Sequence, residues 1–157
     1  MLKINIICVG KIKEEFYSLA CDEYKKRLGK FCQLDIFEIS ETYLPPNPSK
    51  AQIENAFEKE AVAIKNNIKG YVFVCDINSN QYSSEEFSNK IEKLSNTNST
   101  ISFVIGGSYG MSQKIKDIAN EKISFSKATF PHHLARVILL EQIYRAFCIL
   151  NNITYHK

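Results

Sequence analysis

The chain has 157 residues, 45% apolar and 24% charged, proportions of a folded globular protein that exclude a disordered one. A net charge of +3 permits an RNA partner without requiring one. No stretch approaches the length of a membrane span, and the start, Met1-Leu2-Lys3-Ile4-Asn5-Ile6-Ile7, lacks the basic and long apolar regions of a secretory signal, so a cytoplasmic protein is expected.

Lys3 to Val9 is an Ile-rich apolar run closed by Gly10, the pattern of a buried strand and a turn. Glu14 to Leu28 follows with Phe16, Leu19, Ala20, Tyr24 and Leu28 at helical spacing, stopped by Gly29. A second strand is expected over Leu34 to Ile39. The segment Thr42 to Ser49 holds three of the four prolines and is an irregular surface loop. Ser49 with Gln52 forms a capping box for a long helix to about Lys65. Tyr71 to Ile77 is nearly all apolar, a strand covered on both faces, and a turn is expected over Asn78 to Gln81. Ser83 with Glu86 is a second capping box, opening a helix through Leu94. Thr100 to Ile105 is a fourth strand, Gln113 to Asn120 a short helix capped by Ser112, and Lys122 to Phe125 a fifth strand. Phe130-Pro131 then leads into a last helix, about Leu134 to Leu150.

Strands and helices alternate throughout, which predicts an α/β fold: one domain over residues 1–157, a mostly parallel sheet flanked by helices. Ligands of such sheets sit at the carboxyl ends of the strands. The loops after Asp76, Ile105 and Phe125 are therefore the candidate site.

The residue types that carry chemistry gather in the last quarter of the chain. All three histidines, His132, His133 and His156, lie there, with Arg136 and Arg145. The turn Gly106-Gly107-Ser108-Tyr109-Gly110 follows a strand and opens a helix, so its backbone can approach a ligand closely. It matches neither the P-loop nor the Gly-x-Gly-x-x-Gly fingerprint, which counts against a dinucleotide-binding domain. On the last helix Leu139, Leu140, Ile143, Phe147 and Leu150 make one apolar face, and Arg136 falls in its middle. A buried guanidinium requires a partner: a carboxylate or a bound ligand. Glu141 and Arg145 lie elsewhere at i, i+4, as a surface pair or as part of a subunit contact. The adjacent histidines are expected to diverge, and no metal is expected. The five cysteines are odd in number and widely spaced, with no Cys-x-x-Cys pair, and read as reduced thiols.

Four stretches together resemble a known family: Phe103-Val-Ile-Gly-Gly-Ser-x-Gly, Ser124-Phe-Ser-x-x-Thr-Phe-Pro-His, Arg136-Val-x-Leu-x-Glu-Gln-x-Tyr-Arg-Ala, and Tyr155-His156-Lys157. They resemble the ribosomal RNA large subunit methyltransferase H family of the SPOUT methyltransferases, over the full chain. The resemblance implies a sheet with a C-terminal trefoil knot, S-adenosyl-L-methionine as cofactor, and a homodimer. It implies cofactor contacts at Cys75, Gly106, Phe125, Ser126, Lys127, Ala128, Thr129 and Phe130. The family usually has an aliphatic residue where Cys75 stands and Gly-Lys near Ser79-Asn80. The implied reaction is methylation of N3 of a pseudouridine in 23S rRNA within the 70S ribosome. Arg136, His132, Tyr155 and His156 are the candidate catalytic residues, with Tyr155 and His156 expected to reach the partner subunit's pocket and no general base assigned. The competing reading is a ribosome-binding factor that keeps the fold without the transfer.

Overall fold

The computed structural model describes residues 1–157. Five strands, β1 (Lys3–Val9), β2 (Gln33–Ile39), β3 (Tyr71–Gln81), β4 (Thr100–Ile105) and β5 (Glu121–Ser124), alternate with five helices. These are α1 (Glu15–Leu28), α2 (Lys50–Asn67), α3 (Ser84–Ser95), α4 (Gln113–Ile118) and α5 (His132–Leu150). The strands form one sheet in the order β2-β1-β4-β3-β5, every neighbour pair parallel. No helix is long and apolar enough to cross a membrane.

The β-branched runs of β1, β3 and β4 are buried because both faces of the sheet are covered. One face packs Ile4, Ile6, Phe73, Ile101 and Phe103 under α1, α3 and α5. The other packs Ile7, Val9, Val72, Val74 and Val104 against Ile64 of α2 and Ile115 of α4. Phe73 and Phe103 stack on adjacent strands with ring centroids 4.9 Å apart, both fully buried.

The capping boxes stand where the residue types place them. Ser49 and Ser83 each accept from the N3 backbone, and Gln52 and Glu86 return the bond. Two boundaries differ from the sequence expectation. The segment 78–81 is not a turn: Asn80 and Gln81 resume pairing with Ile123 and Ser124 after a register shift past Cys75. Asn78 N–H donates to Asp76 Oδ1 at 3.1 Å within that irregularity, a local bond that a sequence pattern reads as a turn. Helix α5 begins at His132, two residues early, because Pro131 occupies the N-cap position and its fixed φ leads into the helix. On α1 only Cys21 and Leu28 are buried, while Phe16 and Leu19 remain 63% and 60% exposed.

Truncating Phe103 to Ala leaves a cavity at the centre of the sheet. The expected cost is roughly 3–5 kcal/mol of unfolding free energy, read as a lower urea midpoint at unchanged slope.

Candidate functional site

The strand connections open a crevice at the carboxyl edge of the sheet. Strands β1, β3 and β5 lead to α1, α3 and α5 on one face, whereas β4 leads to α4 on the other. Where neighbouring strands send their connections to opposite faces, the loops part and leave room for a ligand. A cavity of about 1070 Å³ lies there, just above the roughly 300–1,000 Å³ typical of ligand sites. Its walls are the irregular stretch of β3 from Cys75 to Asn78, the loops after β4 and β5, the start of α1 and the first turn of α5.

The glycine turn is shaped by backbone contact. Gly107 and Gly110 exchange hydrogen bonds of 3.1 and 3.0 Å, folding the segment back on itself. A Cβ on Gly106 would stand 2.5 Å from the Gly110 carbonyl oxygen. No side chain fits at 106 unless the turn opens, so this wall presents bare backbone to the cavity. Ser124 Oγ donates to the Ser126 carbonyl at 2.9 Å, and Ala128 N–H donates to Ser126 Oγ at 2.9 Å, which fixes the bend of the loop after β5. Cys75 lines the wall between them. Burial, with a smaller contribution from Cys8, pushes its thiol up to about 12, so it is a neutral apolar surface at physiological pH.

The two histidines stand at the opposite wall. Their rings do not diverge: the centroids are 4.0 Å apart. Space for this comes from Gly10, in the left-handed region at φ 96°, where a Cβ would meet His132 Nε2 at 3.0 Å and His133 Cε1 at 3.5 Å. His132 Nε2 and His133 Nδ1 are buried and have no protein partner. Burial lowers the His133 pKa, and the neighbouring His132 and Arg136 lower it further, so His133 is a neutral imidazole at pH 7.

Arg136, one turn beyond His132, is only 3% exposed. Its Nη1 donates to Glu38 Oε2 at 2.9 Å and its Nη2 to the Gly10 carbonyl at 3.1 Å. Glu38 Oε2 also accepts from Ile12 N–H at 3.0 Å. Burial works to raise the Glu38 carboxyl. The bonds from Arg136 and Ile12 outweigh it and hold the group below its ordinary range. The guanidinium thus ties α5 to the ends of β1 and β2.

The C-terminal residues gather around Glu141, which is half-buried and not a free surface pair. Arg145 donates to its Oε1 at 2.8 Å and Tyr155 O–H to its Oε2 at 2.7 Å. The Arg145 guanidinium stacks on the Tyr155 ring at 4.6 Å. His156 bridges Arg145, at 3.3 Å, to Glu85 of α3, at 2.7 Å.

Of the residues expected to hold a cofactor, Cys75, Gly106, Phe125, Ser126, Ala128, Thr129 and Phe130 line the cavity. Lys127 belongs to the same loop but is exposed and outside the lining. Of the expected catalytic residues, His132 is at the wall. Arg136, Tyr155 and His156 are not in this chain's cavity lining. Glu38 and Gly10 were not singled out from the sequence. The signal present was the lone arginine in an apolar helix face, which demanded a carboxylate without saying which one.

These walls fit a methyltransferase of the SPOUT class. The family model described as "Predicted SPOUT methyltransferase" matches residues 2–156, so the chain is a member of that class. It is 51% identical to the ribosomal RNA large subunit methyltransferase H of Clostridium botulinum strain Hall, over 99% of this chain and all of that protein. It is 49% identical, with the same coverage, to the putative ribosomal RNA large subunit methyltransferase H of Methanococcus vannielii. The chain belongs to the ribosomal RNA large subunit methyltransferase H family. A probable methylase family protein from Haemophilus influenzae Rd KW20 shares the fold, with a TM-score of 0.55 and 14% identity over 98% of this chain and 70% of that one.

Replacing Arg136 with Met leaves Glu38 and the Gly10 carbonyl without their partner. The expected loss is about 1–3 kcal/mol, the range for a buried acceptor left unpaired at Gly10, because Glu38 is exposed and regains water. Chemical denaturation at neutral pH reads it. Since the folded Glu38 pKa lies below its unfolded value near 4.5, its contribution is present above that pH and is lost on further acidification. Glu38→Gln is therefore expected to be less stable than wild type at pH 7, with the gap closing in urea titrations run at progressively lower pH below 4.5.

Proposed function

We propose that this chain transfers the methyl group of S-adenosylmethionine to N3 of a pseudouridine in 23S rRNA, acting as a cytoplasmic homodimer on the assembled 70S ribosome. The observation that carries the reading is one cavity at the carboxyl edge of β3, β4 and β5, walled by the glycine turn and by the loop after β5. Relatives about half identical over their whole length are named for ribosomal RNA methylation. The cofactor supplies an activated methyl group on sulfur. Everything else falls to the residues of the chain.

The cavity fits such a group. Bare backbone at Gly106 admits close approach, and residues 125–130 wrap a ligand without placing a fixed charge beside it, the exposed Lys127 standing clear. Cys75, a neutral thiol, makes an apolar wall, so the usual aliphatic residue is replaced by a group of like polarity. In the knot implied by the family, the segment after β5 is proposed to thread the neighbouring loops and hold this wall closed. Nitrogen three of the target must lose its proton. His132 and His133 line the wall, and the acceptor role is assigned to this pair, of which His133 is neutral at working pH. Arg136 acts as a positioning residue: it locks Gly10, and Gly10 provides the space in which both rings sit.

Exposed Phe16 and Leu19 on α1 support the homodimer, since a covered partner face removes apolar surface from water. In that dimer Tyr155 and His156 are proposed to border the partner subunit's cavity. Net charge of +3 gives weak attraction to naked RNA, so recognition relies on the shape of the ribosome.

Transfer of labelled methyl should be measured on intact unmethylated ribosomes, isolated subunits and naked rRNA in parallel. Label confined to large-subunit RNA of intact ribosomes is expected; no label on any of them, with the cofactor bound, would overturn the reading. Removing Tyr155 to Lys157 is expected to abolish transfer while calorimetry shows cofactor affinity retained. Gly106→Ala is expected to do the reverse of sparing the cofactor: binding weakens by about ten-fold or more, because even about 1.4 kcal/mol of turn distortion is a factor of ten.

A further inference from the structure

A second cavity, of about 270 Å³, lies beside the first. Residues 123–125 line both, so Phe125 stands between them as a shared wall. The smaller cavity falls just below the roughly 300 Å³ lower limit of ligand pockets, which suits a single ring and excludes a whole nucleotide. Its apolar walls are Phe87, Phe125 and Ile138, and Tyr82 borders it. Aromatic and branched side chains offer flat contact to a base drawn out of its stack.

One polar group on the wall is fixed in orientation. Ser84 Oγ, in the first turn of α3, donates to the Gln142 amide oxygen of α5 at 2.9 Å. The Gln142 amide nitrogen makes no hydrogen bond within the protein, and the oxygen keeps a second lone pair. The amide therefore presents an acceptor and a donor in one plane, held by Ser84.

Pseudouridine joins its ribose through carbon, so the ring keeps an N1–H beside the C2 carbonyl. With N3 turned towards the main cavity, that donor–acceptor edge is offered to the wall. A primary amide is its complement. Uridine in the same place has no such edge, because its N1 carries the ribose. A site built to pair with an N–H disfavours the analogue that lacks it, since the second lone pair of the amide oxygen then faces a C–H.

We propose that the second cavity receives the flipped target base, and that Gln142, oriented by Ser84, selects pseudouridine over uridine by pairing with its N1–H and C2 carbonyl. This rests on the functional reading above. The test compares methyl transfer to ribosomes carrying pseudouridine or unmodified uridine at the target, with cofactor affinity measured alongside. Gln142→Met keeps the length and apolar contact of the side chain but cannot hydrogen bond, and Ser84→Ala frees the amide. For Gln142→Met the preference for pseudouridine, as a ratio of kcat/KM values, is expected to fall about ten-fold or more, the worth of one good bidentate base contact. Cofactor affinity stays unchanged, transfer to pseudouridine falls more than transfer to uridine, and Ser84→Ala shifts the ratio the same way by less. An unchanged ratio overturns the proposal. So does a loss of cofactor affinity at unchanged ratio, which would give the cavity to the cofactor. A wild-type protein that labels neither substrate overturns the functional reading, and the base assignment with it.

Discussion

A single buried guanidinium holds the functional end of this molecule together. Arg136 sits in the apolar face of α5, where an unpaired charge costs several kcal/mol. It is tolerated because Glu38 and the Gly10 carbonyl both receive it. Those partners lie at the carboxyl ends of β2 and β1, so the pair determines how the last helix meets the sheet. Everything at the start of α5 inherits that position: the histidine pair, Pro131, and through it the loop that closes the cavity.

The cavity itself follows from connectivity. Only β4, among the strands that border it, sends its chain to the α2/α4 face. Its loop must turn sharply to do so, and the Gly106 to Gly110 fold meets that need with backbone alone. The residues that make the turn sterically feasible are thus the residues that leave backbone exposed to a ligand. Stability and binding draw on the same geometry, which is why a methyl group at Gly106 would disturb both.

Polar groups near the site fall into three sets with different surroundings. His132 and His133 have buried nitrogens with no protein partner. Glu141, Arg145, Tyr155 and His156 are mutually satisfied, a rigid polar cluster on the flank of α5. Gln142 and Ser84 stand between, one bond made and one donor free. The chain joins all three through one helix, so a substrate reaching any of them is registered against the others by a rigid element.

Much of this was legible in the sequence because it is local. The alternation of apolar runs and amphipathic segments determined an α/β sheet, and Ser49–Gln52 and Ser83–Glu86 determined helix starts, since capping acts within one turn. The glycine turn and the Phe125 to Phe130 segment were placed at strand ends, and the structure brings them to one cavity. Arg136 in an apolar face announced a buried partner. The tertiary structure alone decided that the partner is Glu38, 98 residues away, since no spacing rule links residues that meet only when β2 and α5 pack. It also decided that Asn80 and Gln81 continue a strand, because β5 supplies the hydrogen bonds their local pattern lacks. And it decided that the two histidine rings face each other, because the space they share is the missing side chain of Gly10, just past the end of β1 and more than a hundred residues earlier in the chain.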